Sequence, residues 1–211
     1  MAFAVSFAPS VPSWKNKEEK AVKTKNLMIV GVGGQGSLLA SKLLGRLLCE
    51  EGYDVKVSEV HGMSQRGGSV VTYVRFGDKV YSPLVEEGEA DFIVSFEKLE
   101  GARYAPYLAK DGVLVVNTQE IDPMPVIIGK AAYPEAVLDE LAAKGAKVDA
   151  IDALTLAKEA GSSKAVNIVL LGRLARYFDI PEEKWIAAIR NTVAERFVEM
   201  NLAAFRLGMN S

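Results

Sequence analysis

A glycine-dense turn between a short apolar run and a leucine-rich segment constrains this chain most. Leu27-Met28-Ile29-Val30 reads as a buried strand, and Gly31-Val32-Gly33-Gly34-Gln35-Gly36 follows it. The segment from Ser37 to Glu51 then places Leu38, Leu39, Leu43, Leu44, Leu47 and Leu48 on a broad apolar face, which predicts a helix ended by Gly52. A strand, a glycine turn and a helix form the first βα unit of an open α/β sheet.

Further strands are expected at 55–60, 70–76, 91–96, 113–117 and 147–151. Gly77-Asp78 reads as a turn and Lys79 to Tyr81 as a return strand, so residues 70–81 are expected to form a hairpin. Helices are expected over 99–108, 134–144, 154–160 and 165–178, with 119–133 as a proline-containing connection. Pro181 should open one last helix, in which Trp185, Ile189, Val193, Phe197, Met200 and Ala204 share a face. The resulting fold class is α/β: a three-layer α/β/α domain over residues 25–211, built on a mostly parallel mixed sheet. Residues 1–24 read as a flexible leader, with Pro9, Pro12 and the charged run Lys15 to Lys20.

Composition narrows the chemistry. The formal net charge of -2 offers no general basic field for nucleic acid or an anionic membrane. No apolar run approaches the ~18 residues of a membrane span, and the start lacks the pattern of a signal peptide. The chain holds one cysteine, Cys49, and one histidine, His61. One thiol excludes an internal disulfide and fits a cytoplasmic location. It also leaves this chain unable to supply the four thiolates of an iron–sulfur cluster, or the ligands of a structural zinc site. No metal site is expected.

The first loop satisfies the G-x-G-x-x-G spacing of dinucleotide sites, and Glu59 ends the second strand, where a ribose-binding carboxylate would stand. A nicotinamide- or flavin-binding oxidoreductase is therefore one reading. A tight strand–helix turn with no ligand is another. A third makes the loop the shaped edge of a site shared with a second chain.

A second glycine loop follows the second strand at the same sheet edge: His61-Gly62-Met63-Ser64-Gln65-Arg66-Gly67-Gly68. Arg66 can hold a carboxylate or phosphate through two parallel hydrogen bonds, and a salt bridge to a partner would suit it equally. Gly67 and Gly68 let main chain pass close to a ligand. His61 is the candidate proton shuttle, although a hydrogen-bonded structural histidine satisfies the same pattern. Gly31, Gly33, Gly34, Gln35, Gly36, Glu59, Ser64, Gln65, Arg66, Gly67 and Gly68 are the candidate residues of a substrate or cofactor edge.

Together the two loops carry a family likeness. Gly31–Gly36 and Gln65–Gly68 resemble the gamma-type domain of 2-oxoacid:ferredoxin oxidoreductases, and the string from Ser58 to Val70 resembles the indolepyruvate branch. Val80-Tyr81-Ser82-Pro83, Gly88–Asp91, Phe96-Glu97, Val116-Asn117-Thr118, Asn167–Gly172, Asn201 and Ala204-Phe205 extend the likeness across residues 26–208. The resemblance implies the fold of the gamma domain of pyruvate:ferredoxin oxidoreductase. It implies a small subunit acting in the conversion of an aryl pyruvate, coenzyme A and oxidised ferredoxin to an aryl-acetyl-CoA, carbon dioxide and reduced ferredoxin. It places thiamine diphosphate, magnesium and iron–sulfur clusters on a large alpha subunit, which is the expected partner, with ferredoxin reached through the complex. This sequence has neither a cysteine cluster nor the Gly-Asp-Gly and Asn-Asn signature of magnesium–diphosphate binding, so no activity is expected of it alone. A non-catalytic scaffold of the same fold remains a further alternative, and self-association is open when the chain is made without its partner.

Overall fold

The computed structural model describes residues 23–59 and 68–211. Six strands form one sheet in the order β2-β3-β1-β4-β5-β6. They are β1 (Lys25–Val32), β2 (Asp54–Glu59), β3 (Ser69–Gly77), β4 (Ala90–Ser95), β5 (Leu108–Asn117) and β6 (Lys147–Ile151). β1, β4, β5 and β6 run parallel to one another, whereas β3 lies antiparallel between β1 and β2. Successive β1 side chains go to opposite faces: Leu27 and Ile29 enter one core, Met28 and Val30 the other.

Eight α-helices are present among the described residues: α1 (Ser37–Glu50), α2 (Lys98–Tyr104), α3 (Met124–Ile127), α4 (Val137–Ala143), α5 (Ala153–Glu159), α6 (Val166–Ala175), α7 (Glu182–Thr192) and α8 (Val198–Asn210). The larger core joins Leu43, Leu44 and Leu47 of α1 to Val74 and Val94 of the sheet and to Ile168, Trp185 and Phe205 of α6–α8. On the opposite face Ile93, Leu114 and Val116 are packed by Tyr104, Leu138 and Leu141 of the α2 and α4 region. The result is three layers, as the strand–helix alternation predicts.

Local signals explain the ends of several elements. Gly52 closes α1 at φ +89°, with Gly52 N–H on the Cys49 carbonyl and Tyr53 N–H on that of Leu48, a Schellman pair. The Glu97 carboxylate caps α2 by accepting from Glu100 N–H at 2.8 Å. Asp152 caps α5 through Thr155 N–H at 3.0 Å, and that bond holds its carboxyl below the usual range. α6 and α8 touch backbone to backbone. A Cβ on Gly172 would stand 2.1 Å from the Phe205 carbonyl oxygen, so only glycine fits.

Several expectations are corrected. Residues 79–81 form no strand, and the hairpin is instead β2–β3. Both edges of β3 are occupied, by β1 and β2, so no ladder position is left for a return strand. Val80 N–H goes to Asp54 Oδ2 at 2.9 Å, and Arg75 holds the carbonyls of Ser82 and Leu84. The last helix is two, because the backbone at Val193 is extended (φ -92°, ψ 154°). The helix expected over 99–108 is Lys98–Tyr104 followed by a 3-10 turn, and β5 already begins at Leu108. The helices expected at 134–144 and 165–178 shrink to Val137–Ala143 and Val166–Ala175, and the 119–133 connection contains α3. Leu38 is 46% exposed rather than part of the buried face. Residues 1–22, most of the expected leader, lie outside the described residues.

Candidate functional site

The chain leaves β1 for α1 and β2 on one side of the sheet, whereas β4 pairs with β1 on the other. This divergence is a topological switch point, where open α/β sheets leave a crevice at the carboxyl ends of the strands. The first glycine loop lies there. Gly34 and Gly36 take φ of +99° and +91°, left-handed values that a side chain would strain. Gly36 is the cap residue of α1 and offers no side-chain bond, so the first N–H groups of that helix are left for another acceptor.

Gln35 holds this loop from within. Its Oε1 accepts Val32 N–H at 2.7 Å, and its Nε2 donates to the Phe96 carbonyl at 3.1 Å, across the crevice between β1 and β4. Gly31 makes room for the folded side chain, since a Cβ there would stand 2.8 Å from Gln35 Oε1 and 2.9 Å from Phe96 Cβ. Two buried carboxamides extend the tier. Asn117 Nδ2 donates to the same Phe96 carbonyl at 3.1 Å, and its Oδ1 accepts Ala153 N–H at 3.1 Å. Asn167 Nδ2 donates to the Gly36 carbonyl at 3.2 Å. Neither asparagine was a candidate from sequence. The available signals were a polar residue ending the apolar run Val113–Val116 and an asparagine inside the apolar segment of α6.

The second loop meets the first. Gly33 N–H donates to the Gly68 carbonyl at 2.9 Å, and the β1–β3 register pairs Val32 with Ser69. His61, Ser64, Gln65, Arg66 and Gly67 lie outside the described residues. The roots of their loop are held: Ser69 Oγ donates to the buried Glu100 carboxylate of α2, and Ser41 Oγ of α1 donates to Glu59 at 2.5 Å. Glu59 does not occupy the ribose position of a dinucleotide site. β3 intervenes, so β2 stands two strand spacings, about 10 Å, from β1 instead of one.

Two cavities flank the first loop. One of about 250 Å³ is lined by Gly33, Gly34, Ser37, Leu38, Val70 and Thr72. The other, about 620 Å³, runs from Gly34–Gly36 to Gln119, Ile121, Leu154 and Asn167, with Lys164 as its charged lining residue. Free helix N–H groups and a lysine suit a negatively charged group.

Residues 26–211 match the family described as pyruvate ferredoxin/flavodoxin oxidoreductase. The chain belongs to this family. Among its relatives, the indolepyruvate oxidoreductase subunit IorB of Thermococcus kodakarensis is 45% identical over 197 residues, covering 90% of this chain and 96% of that one. The IorB of Archaeoglobus fulgidus is 41% identical, covering 88% and 94%. The pyruvate/ketoisovalerate oxidoreductases common subunit gamma of Pyrococcus abyssi is 28% identical, covering 83% and 90%. Among solved structures, the gamma subunit of a keto/oxoacid ferredoxin oxidoreductase from Geobacter sulfurreducens superposes with a TM-score of 0.65 at 23% identity, over 88% of this chain and 96% of that one. A 2-oxoglutarate:ferredoxin oxidoreductase from Magnetococcus marinus matches with a TM-score of 0.67 at 20% identity, over 90% of this chain but 31% of that chain. The gamma-type fold and the oxidoreductase-subunit reading of the sequence are both borne out.

Membership of a 2-oxoacid ferredoxin oxidoreductase family implies a complex with thiamine and iron–sulfur groups. The donor set of this chain does not fit a cluster. The sequence has one cysteine, exposed on α1, and no group of three metal-ligating side chains occurs among the described residues. No helix among them is long and apolar enough to cross a membrane.

Proposed function

We propose that this chain is the small subunit of an indolepyruvate-type oxidoreductase. The complex converts an aryl pyruvate, coenzyme A and oxidised ferredoxin to an aryl-acetyl-CoA, carbon dioxide and reduced ferredoxin. Thiamine diphosphate, with its magnesium, supplies the carbon–carbon cleavage, and iron–sulfur clusters supply the electron transfer; both reside on a large alpha subunit. The chain's own work is to bind and orient. The Gly33–Gly68 hydrogen bond carries this reading, because it ties Gly68, the last residue of the second glycine loop, to the first loop at the carboxyl edge of the sheet. The 45% identity to an indolepyruvate oxidoreductase subunit supports the branch.

In this reading the unpaired N–H groups at the start of α1, with Arg66, seat an anionic group, either the substrate carboxylate or part of coenzyme A. His61 is positioned in sequence to hold or release a proton at the same edge.

The test is kinetic, in the complex assembled with the large subunit. Arg66→Ala should raise the apparent KM for the 2-oxoacid or for coenzyme A about tenfold or more, the loss of one charge-assisted pair. Unchanged kinetics in a fully assembled complex would reject the seat. Turnover of indolepyruvate by the isolated chain would reject the subunit reading itself.

A further inference from the structure

The connection from β5 to α4 is an arm with its roots tied and its apolar face outward. Glu97 is 1% exposed, and one of its oxygens receives both roots: Ile121 N–H at 3.2 Å and the Tyr133 hydroxyl. The Tyr133 oxygen in turn accepts Leu99 N–H at 3.1 Å, and Lys98 N–H reaches the Gln119 carbonyl at 3.1 Å. Within the arm, Ile127 N–H bonds the Pro123 carbonyl, and Lys130 and Ala131 N–H bond that of Pro125. Residues 121–133 are thus a closed, internally bonded surface loop of the Ω type.

Such ordering normally serves to bury apolar side chains. Here Met124 and Ile127 of α3 and its cap residue Ile128, spaced i, i+3 and i+4, are 66%, 64% and 54% exposed. Only Val126, between them, is half-buried. Asp122 and Lys130 flank the face and carry its charge. A cluster of three large apolar residues in one turn, rimmed by charge, marks an interaction surface.

We infer that the outward face of α3 is a docking surface for the large cofactor-bearing subunit, through an apolar groove on that subunit. The inference rests on the proposed function. Continuity selects this occupant over a second copy of the chain: Gln119 and Ile121, at the root of the arm, line the same cavity as Gly34–Gly36. A subunit whose cofactors reach that cavity meets the chain beside the root of the arm. The Glu97 clasp holds the apolar face ready before contact, which lowers the ordering cost of association.

The test combines purified small chains with the large subunit and follows assembly by sedimentation and by dissociation constant. The double variant Ile127→Glu, Ile128→Glu should weaken assembly about 100-fold or more, as expected for charging the centre of an interface. Alone, it should keep the melting temperature of the wild type, because both side chains face solvent. Leu84→Glu, similarly exposed but held by Arg75 of β3 near the amino end of β1, should assemble as wild type does. Assembly of the double variant with an unchanged constant overturns the inference. So does a homodimer of the isolated chain that the double variant dissolves while assembly with the large subunit persists, since the occupant is then a second copy. A wild-type chain that turns over indolepyruvate alone and never binds the large subunit refutes the proposed function, and this inference with it.

Discussion

Gly208 of α8 faces the carbonyl of Val169 on α6 so closely that a Cβ would stand 1.9 Å from the oxygen. The two helices can meet at that distance only while the position has no side chain. Gly208→Ala must push α8 off the larger core, with an expected loss of about 3 kcal/mol and a fall in melting temperature of roughly 6–12 °C. Gly45→Ala is the internal contrast. It lies in α1, and the nearest atom its Cβ would meet is 3.6 Å away, ordinary contact. It should stabilise by about 0.5–1 kcal/mol, the helix-propensity gain. Thermal denaturation of both variants checks the pair.

Gln35 is the hinge pin of the first loop, accepting with Oε1 and donating with Nε2. Gln35→Glu keeps the acceptor but sets a carboxylate oxygen against the Phe96 carbonyl. The repulsion raises the new carboxyl's folded pKa above its unfolded value of about 4.3. A group raised in this way contributes stability below its unfolded pKa and loses it as pH rises through the folded one. The variant should therefore be less stable than wild type by about 2 kcal/mol at neutral pH, with the gap closing toward pH ~4. Denaturant titrations at several pH values test it.

Tyr133 should resist ionisation. Burial, and then its bond to Glu97, hold the phenol well above its usual range. Its unfolded pKa is about 10, so stability from this group is complete below that pH and declines above it. Wild type should lose stability from about pH 10 upward, and Tyr133→Phe should remove that part of the slope. At neutral pH the substitution should cost about 1–2 kcal/mol and loosen the arm. Phenolate absorbance and hydrogen exchange at residues 121–133 are the measurements.

Asp149 of β6 anchors α6 through Arg173, with Nε at 2.8 Å and 2.9 Å from its two oxygens and Nη2 at 2.6 Å from one. It also accepts the Tyr177 hydroxyl at 2.7 Å, and that phenol, partly buried as well, is pushed up to about 12. Asp149→Ala leaves a mostly buried guanidinium with the Ser211 carbonyl as its remaining partner and should destabilise by about 3 kcal/mol, whereas Asp149→Glu should recover part of the loss. Chemical denaturation distinguishes them.

The parts legible in sequence were those set by local pattern. β1 announces itself as four apolar residues before a glycine, and α1 by its leucines and its closing Gly52. Both loops were read as sharing an edge because strand ends alternate predictably in such sheets. What escaped depended on partners distant in sequence. Lys79 to Tyr81 looks like a strand, but whether a strand can pair depends on which edges are vacant, and β3 has none. The extended break at Val193 interrupts an apolar periodicity that continues across it, so spacing alone joined α7 to α8. Glu97 and Glu100 stand three apart at a helix start, a pattern readable as a cap. Their bonds to Tyr133 and Ser69 span 36 and 31 residues and leave no local trace.

The placement of β3 has one more effect. In an ordinary doubly wound sheet a helix separates consecutive strands and absorbs changes in the length of the connection. Here β3 pairs antiparallel with both β2 and β1. Because Gly68, the residue before β3, accepts the Gly33 N–H, a shift of β3 along β1 would be felt at once at the mouth of the crevice, so the register of these two strands is geared to the shape of the first glycine loop.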